Sequence, residues 1–519
     1  MQWQFWIDVG GTFTDCVAVT PDDEMRTFKT LSSGVTKGDV AERTENAIVD
    51  SRRTDDPDGF WNGYTIRFLD PTGREIHAGR VREHDAGTGT LAIDGSLPAT
   101  VAAGCVYELT SGDEAPIVAI RYLLGLRLDE PIPAVTVRLG TTRGTNALLE
   151  RKGARTALIT TRGFADVLLI GNQDRPRLFD LAIRKPEPLF TEVVEIDERL
   201  DADGNVLTAV DAEQVRAQLA NLRTRNIDSI AICLLNSYVN PEHERVVADI
   251  AREGGFEEIS VSSRLSPLIK IVSRGDTTVM DAYLNPILRE YVGALRAALD
   301  DASSLRLMTS AGGLVDADSF VGKDSILSGP AGGVIGYSRV AEQAGFPRSI
   351  GFDMGGTSTD VSRYDGQYER EYETTKAGVR VVSPMLAIET VAAGGGSICD
   401  FDGVKLMVGP ESAGADPGPA CYGAGGPLTV TDVNLALGRL LPEQFPFSLD
   451  EQAVWQRLEA LCGRIAESPL GRTYTPVELV GSVDPVTTPA NAGDIASLAG
   501  EPASWRSRIS VPVVVEAIK

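Results

Sequence analysis

Asp8-Val9-Gly10-Gly11-Thr12-Phe13-Thr14-Asp15 returns as Asp353-Met354-Gly355-Gly356-Thr357-Ser358-Thr359-Asp360, 345 positions later (353 − 8). Each copy follows a short apolar run, Phe5-Trp6-Ile7 or Ile350-Gly351-Phe352, that reads as a strand. A strand ending in Asp-x-Gly-Gly-Thr makes a tight turn. Glycine lets the backbone come close to a ligand, and amide N–H groups and hydroxyls can then hold phosphate oxygens. A carboxylate just before the turn can orient Mg²⁺, through water, because Mg²⁺ keeps most of its hydration shell. A single such loop is also an ordinary β-turn. Two copies in one chain predict two related domains gripping one nucleotide between them.

Outward from these turns, buried strands alternate with amphipathic helices, the pattern of an α/β fold with largely parallel sheets. Helices are predicted at 37–52, 115–126, 147–152, 211–225, 241–254, 276–299 and 433–440, and strands at 135–139, 156–161, 229–235 and 305–308. Short alternating runs with turns predict a small β module, about 60–111, inserted into the first domain. In Ser328-Gly329-Pro330-Ala331-Gly332-Gly333, Pro330 suits the first turn of a helix. The small residues after it would let that helix pack very close to a neighbour; the alternative is a glycine-rich loop. Two further glycine-rich turns stand at 140–146 and 394–397, and a long Gly/Pro-punctuated loop at 409–422.

With 519 residues, the chain has room for roughly three or four domains. Its net charge of −24 argues against nucleic acid or an anionic membrane as partner. A nucleotide site must therefore be favourable locally, through backbone amides and Mg²⁺. No apolar run reaches the ~18 residues that cross a bilayer. No basic segment leads an apolar stretch at the N-terminus, so no signal peptide is expected and the cytoplasm is the expected compartment. The six cysteines form no Cys-x-x-Cys pair, which points to reduced thiols. Of only three histidines, His77 and His84 are predicted to lie at the surface, so neither a His-rich metal centre nor a Ser-His-Asp triad has much to draw on.

The paired turns resemble those of the actin, sugar kinase and Hsp70 superfamily of ATPases. Other phrases resemble the hydantoinase A / 5-oxoprolinase family within it. These are Leu139-Gly140-Thr141-Thr142, Leu148-Leu149-Glu150-Arg151-Lys152-Gly153, Thr161-Arg162-Gly163-Phe164, Asn172-Gln173-Asp174-Arg175-Pro176, Ser328 to Gly333, and Gly409 to Tyr422. The nearest likeness within the family is to bacterial ATP-dependent 5-oxoprolinases. The resemblance implies an α/β protein of two actin-like (ribonuclease H-like) ATPase domains, at 1–225 and 226–480. It implies phosphorylation of a lactam carbonyl oxygen by ATP, with a hydantoinase B-type subunit or domain completing hydrolysis, and an oligomeric assembly. Gly10, Gly11, Thr12 and Thr14 would form one phosphate-holding turn, and Gly355, Gly356, Thr357 and Thr359 the other. Asp8 and Asp353 would act in catalysis by orienting Mg²⁺ through water. The 140–146 turn, with Asn146, and Gly394, Gly395, Gly396 and Ser397 are candidates for contact with substrate or nucleotide. Arg143 and Arg175 can bind a substrate carboxylate bidentately, or serve as structural arginines. Other readings are a subunit of a ketone carboxylase or N-methylhydantoinase, and an inactive truncated fragment.

The likeness stops after Val480. Residues 481–519 read as a Pro/Ser/Ala-rich tail unlike the family, as a frameshift or gene truncation would leave. On that hypothesis the second domain is incomplete, and apolar surface between about 350 and 480 should be left uncovered. A genomic reading frame downstream with no further glycine-rich phrase of the family would rule it out.

Overall fold

Two hairpins of one shape organise the fold. A computed structural model describes residues 2–483 apart from 71–72, 173–184, 377, 415–416, 446, 470 and 472. Arg175, part of the 409–422 loop and the tail beyond 483 lie outside the described residues.

The first hairpin is the centre of a six-stranded sheet. Its order is Leu314–Asp316, Ser304–Met308, Thr136–Thr141, Gln4–Val9, Phe13–Val19, Met25–Leu31. The last three form an antiparallel meander, whereas Thr136–Thr141 and Ser304–Met308 join in parallel. Phe5, Ile7 and Val9 alternate along one face, as strand periodicity requires. They are buried in one cluster with Val137, Leu139, Leu305 and Leu307 and with Ile117, Ile120 and Leu123 of the Ala115–Leu124 helix. Each such side chain contributes about 1.5–3 kcal/mol by leaving water.

A second sheet, Phe190–Ile196, Thr156–Thr161, Ser229–Cys233 and Glu258–Val261, is parallel throughout. Its middle strands are buried on both faces, which is why they read as unbroken apolar runs. Ala157, Ile159, Ile230 and Ile232 meet the Ala212–Thr224 and Glu242–Glu253 helices. Leu158, Ala231 and Cys233 face the Ile271–Ala298 helix, whose Val279, Met280 and Leu284 also join the core of the first sheet. The sheets run across the 225/226 division expected from the sequence: Ser229–Cys233 pairs with Thr156–Thr161, and Ser304–Met308 with Thr136–Thr141.

The inserted β module is present but starts earlier than expected. Its seven strands run from Thr36–Asp39 to Val106–Thr110 around a core of Phe60, Trp61, Tyr64, Phe68 and Tyr107. Residues 37–52 are thus not a helix but three short strands and the start of a 3₁₀ turn, Ser51–Asp55. The reason is tertiary: a Cβ at Gly38 would stand 2.2 Å from the Tyr107 ring, and Asp50 accepts from the Tyr107 hydroxyl at 2.7 Å. His84 is also a correction. It is buried, with Nε2 3.1 Å from the Arg53 carbonyl oxygen.

The second hairpin, Ser349–Met354 with Thr359–Tyr364, adds only Glu389–Val391 to make a three-stranded antiparallel sheet. Beyond it, Val433, Leu435, Val454, Leu458, Leu461 and Leu479 bring the Val430–Ala436, Glu451–Ala466 and Pro476–Val483 helices into a separate core. The architecture is mixed α/β with several sheets. No helix among the described residues is long and apolar enough to cross a membrane.

Candidate functional site

The spacing of the repeated phrase has a simple geometric meaning. Asp8 and Asp15 are cross-strand partners, and so are Asp353 and Asp360. Like charges directly opposite on a sheet are unfavourable, so each hairpin carries a cost that folding does not demand. Between the strands, Gly10 N–H donates to the Phe13 carbonyl and Gly355 N–H to the Ser358 carbonyl, both at 2.9 Å. The repeated turns therefore share their hydrogen bonding as well as their letters.

Thr14 and Thr359 brace these turns from behind. Thr14 Oγ1 lies 3.0 Å from Ser32 Oγ, and Ser32 Oγ donates to the Gly10 carbonyl at 2.8 Å. Thr359 donates to the Ala393 carbonyl at 2.5 Å. Both threonines are buried. By contrast, the N–H groups of Gly11, Thr12, Gly356 and Thr357 donate to no protein group among the described residues. Such a set of free, outward N–H donors suits an anion.

The fold brings the two turns face to face. A Cβ built on Gly356 would lie 3.3 Å from Thr12 Oγ1. The start of the Ser328–Gln343 helix lies against the carboxylates that precede both turns. A Cβ on Gly329 would stand 3.2 Å from Asp8 Oδ1, and one on Gly333 3.9 Å from Asp353 Oδ2. Gly140 also crowds Asp8, at 3.3 Å. Residues four apart share a helix face, so Gly329 and Gly333 clear room for both carboxylates along one side of one helix. Neither Asp8 nor Asp353 makes a side-chain hydrogen bond among the described residues. Burial of the Asp8 carboxyl in this crowded cleft, with the charges of Asp15 and Asp353 beside it, pushes its pKa up to about 6. The residue still opens to solvent. Asp360 is raised as well, by burial first and then by Asp353. Lys29 holds Asp15 at 2.7 Å and lies 5.0 Å over the Phe13 ring. No cluster of three or more His, Cys, Asp or Glu side chains could cage a metal among the described residues. Two unpartnered carboxylates facing open N–H donors fit a hydrated divalent cation carried with a polyphosphate.

The other candidates divide. Asn146 sits at the first turn, with Nδ2 3.9 Å from a Cβ on Gly11 and 3.4 Å from Thr142 Oγ1. Gly395 and Gly396 lie against the second turn, but their N–H groups are spent, donating to the Gly355 and Gly356 carbonyls at 2.8 and 2.6 Å. Ser397 is buried and accepts from Gly394 N–H at 2.9 Å. Arg143 pairs with Glu114 and stacks 5.0 Å over Tyr291. Replacing it with alanine is expected to cost about 1 kcal/mol of stability and to leave nucleotide affinity unchanged, which thermal melts and calorimetry would check. Sequence reasoning missed Ser32 and Lys29, and offered Gly140 and Gly333 only within a candidate turn and a close-packing helix start. A cavity of about 480 Å³, lined by Leu168 to Asn172, Lys185 to Phe190, Asp276 and Arg380, shares no lining residue with the turns.

The hydantoinase/oxoprolinase N-terminal region profile matches residues 4–59 and 96–255, and the hydantoinase/oxoprolinase profile residues 274–483. The break at 60–95 holds the Thr65–Leu69, Glu75–Asp85 and Thr90–Ile93 strands of the β module. The 5-oxoprolinase of Saccharomyces cerevisiae is 48% identical over 374 residues, covering 64% of this chain and 29% of its own length. The match spans about a third of the length of the Saccharomyces cerevisiae, Schizosaccharomyces pombe and Arabidopsis thaliana relatives. Among solved structures, the ATP-dependent caprolactamase of Pseudomonas jessenii is 26% identical with a TM-score of 0.60, over 92% of this chain and 62% of that one. Nucleotide-free acetone carboxylase reaches 0.64 at 23% identity, over 92% and 60%, a likeness of fold alone. With profiles matching along both halves, from the first hairpin to the last described helix, this chain belongs to the hydantoinase/oxoprolinase family.

Proposed function

We propose that the chain is the ATP-binding part of an ATP-dependent lactam hydrolase of the 5-oxoprolinase type. The observation that carries this is the meeting of the two repeated turns, Thr12 beside Gly356, with Asp8 and Asp353 along one helix side. Gly11 and Thr12 on one side, and Gly356 and Thr357 on the other, hold the phosphates by N–H and hydroxyl donors, in turns that Gly10 and Gly355 close through their own N–H groups. Thr14 and Thr359 keep those turns in shape. Asp8 and Asp353 hold hydrated Mg²⁺. We further propose two actin-like lobes. The strand order supports the first: an antiparallel meander extended by two parallel strands on the side of its first strand. On this reading the junction between them lies between Asp316 and Ser349, supported by the first sheet's strands ending at Asp316 and the second hairpin beginning at Ser349 among the described residues.

Amide resonance makes an unstrained lactam carbonyl a poor electrophile. Bound ATP would supply the phosphoryl group that turns its oxygen into a leaving ester, a step that needs positioning and charge neutralisation from the protein. A B-type subunit or domain would then complete hydrolysis. The 5-oxoprolinase type is favoured over the carboxylase type by identity: 48% to the yeast 5-oxoprolinase against 33% to the acetophenone carboxylase gamma subunit of Aromatoleum aromaticum. The test is ATP hydrolysis and glutamate release with 5-oxoproline, with and without a B-type partner. The expected result is no glutamate from the chain alone and ATP-dependent release once the partner is added. Turnover by the pure chain would refute the need for a partner, and absence of nucleotide binding in the presence of the partner would refute the ATP site.

A further inference from the structure

Each pair of facing carboxylates belongs to a longer row across its sheet. In the first half the row is Asp8, Asp15 and Lys29, on the Gln4–Val9, Phe13–Val19 and Met25–Leu31 strands. In the second half it is Asp353, Asp360 and Thr390, on Ser349–Met354, Thr359–Tyr364 and Glu389–Val391. Thr390 follows Lys29 by 361 positions (390 − 29) instead of 345, so the linear repeat hides this match. The third member meets the second in the same way in both rows. Lys29 Nζ donates to Asp15 Oδ1 and Oδ2 at 2.7 Å, and Thr390 Oγ1 donates to Asp360 Oδ1 at 2.7 Å. The geometry is kept and the charge is not: one row ends in an ammonium, the other in a hydroxyl.

The ammonium can serve more than Asp15. Lysine carries three donors on a flexible stem, and the two Asp15 oxygens leave one over. Nζ lies 5.0 Å from the centre of the Phe13 ring, and Phe13 directly follows Thr12, whose N–H is open among the described residues. The Lys29 and Asp15 side chains are 44% and 58% exposed, and an exposed ion pair holds its partners loosely. The Lys29 charge also reaches Asp8: burial raises that carboxyl first, Asp15 and Asp353 add to the rise, and Lys29 opposes it. The second half sets its own lysine differently. Lys376 Nζ donates to the Ile388 carbonyl at 3.3 Å, and its charge acts on Asp360 without a hydrogen bond.

We propose that Lys29 meets the terminal phosphate of a nucleoside triphosphate at the first turn, and so makes this cleft prefer a triphosphate to a diphosphate. The proposal rests on the ATP reading above and adds a direction to it: the terminal phosphate lies toward the first hairpin and the inner phosphates toward the second. The reason is electrostatic. The chain carries a net charge of −24, and four carboxylates, Asp8, Asp15, Asp353 and Asp360, stand in the two rows. A third phosphate brings further negative charge into that field. The row that ends in an ammonium accepts it with a charge-assisted hydrogen bond, and the row that ends in a hydroxyl offers no such charge.

The experiment is calorimetric titration of the full chain, alone and with a B-type partner, using Mg·ADP and a non-hydrolysable Mg·ATP analogue. The parent should bind the analogue more tightly. Lys29→Met should weaken analogue binding about tenfold or more, the scale of one charged hydrogen bond, and leave Mg·ADP within about twofold. Lys29→Arg keeps the charge and should keep the preference. Arg26→Met removes the same charge from the same strand, opposite Ala18, and should change neither affinity. A Lys29→Met variant that keeps the preference, or that loses both ligands equally, overturns the proposal. So does Lys29→Arg behaving like Lys29→Met, because positive charge is then not what is read. A parent that binds neither nucleotide under either condition fails at the ATP reading itself, and the role of Lys29 falls with it; a parent that binds both and a variant that does not discriminate leaves that reading standing and removes Lys29 alone.

Discussion

Asp8→Asn is expected to weaken Mg·ATP binding on the order of tenfold or more, about 1.4 kcal/mol, while making the ligand-free protein more stable at pH 8. The two effects have one origin. The Asp8 carboxylate ionises against burial and against Asp15 and Asp353, so its pKa rises from 3.8 to about 6. A carboxyl raised in the folded state binds its proton more tightly there than in the unfolded chain. Stability is then lost as pH climbs from about 4 to about 6 and stays low above that window. Asparagine has no such slope. The variant's advantage in melting temperature should grow from pH 4 to pH 6 and then level off, without Mg²⁺ or nucleotide. Calorimetric titration gives the other half. Full affinity in Asp8→Asn would remove this residue from the cation site.

Gly394→Ala should be equally severe for a different reason. Its Cβ would stand 2.7 Å from the Gly356 carbonyl carbon and oxygen and 2.8 Å from the Gly355 oxygen. This is backbone against backbone, so no rotamer relieves it. Overpacking of this kind costs about 1–3 kcal/mol, and here relief requires displacing the second turn. Nucleotide affinity should fall with stability. Gly332→Ala is the matched control. Its Cβ meets nothing within 4 Å, and alanine in place of helical glycine stabilises by about 0.4–1 kcal/mol. Equal melting temperatures for Gly394→Ala and the parent would show that this close approach does not matter.

The repeated turns were legible because a hairpin is local. The eight residues from Asp8 to Asp15 hold the turn and the adjoining ends of both strands, so a linear phrase carries the shape. The seats of the carboxylates were not legible in the same way. Gly329 and Gly333 gain their meaning only when their helix lies beside Asp8 and Asp353, which no short window contains. The same limit applies wherever distant contacts decide the surroundings. Residues 37–52 hold a helix-compatible pattern that contact with distant Tyr107 overrides. The 394–396 glycines look like a ligand loop, yet the N–H groups of Gly395 and Gly396 meet the neighbouring turn and that of Gly394 meets Ser397 Oγ. Arg143 offers a fork for a carboxylate and finds Glu114 of this chain instead.

The hairpins match in hydrogen bonding but not in every side chain. Where one carries Ser358, the other carries Phe13, set edge-on to Phe445 and capped by Lys29. A ligand with distinct ends would therefore meet unequal jaws. On the proposed nucleotide reading, Phe13 with Lys29 at one turn and Ser358 at the other would distinguish the two ends of the ligand.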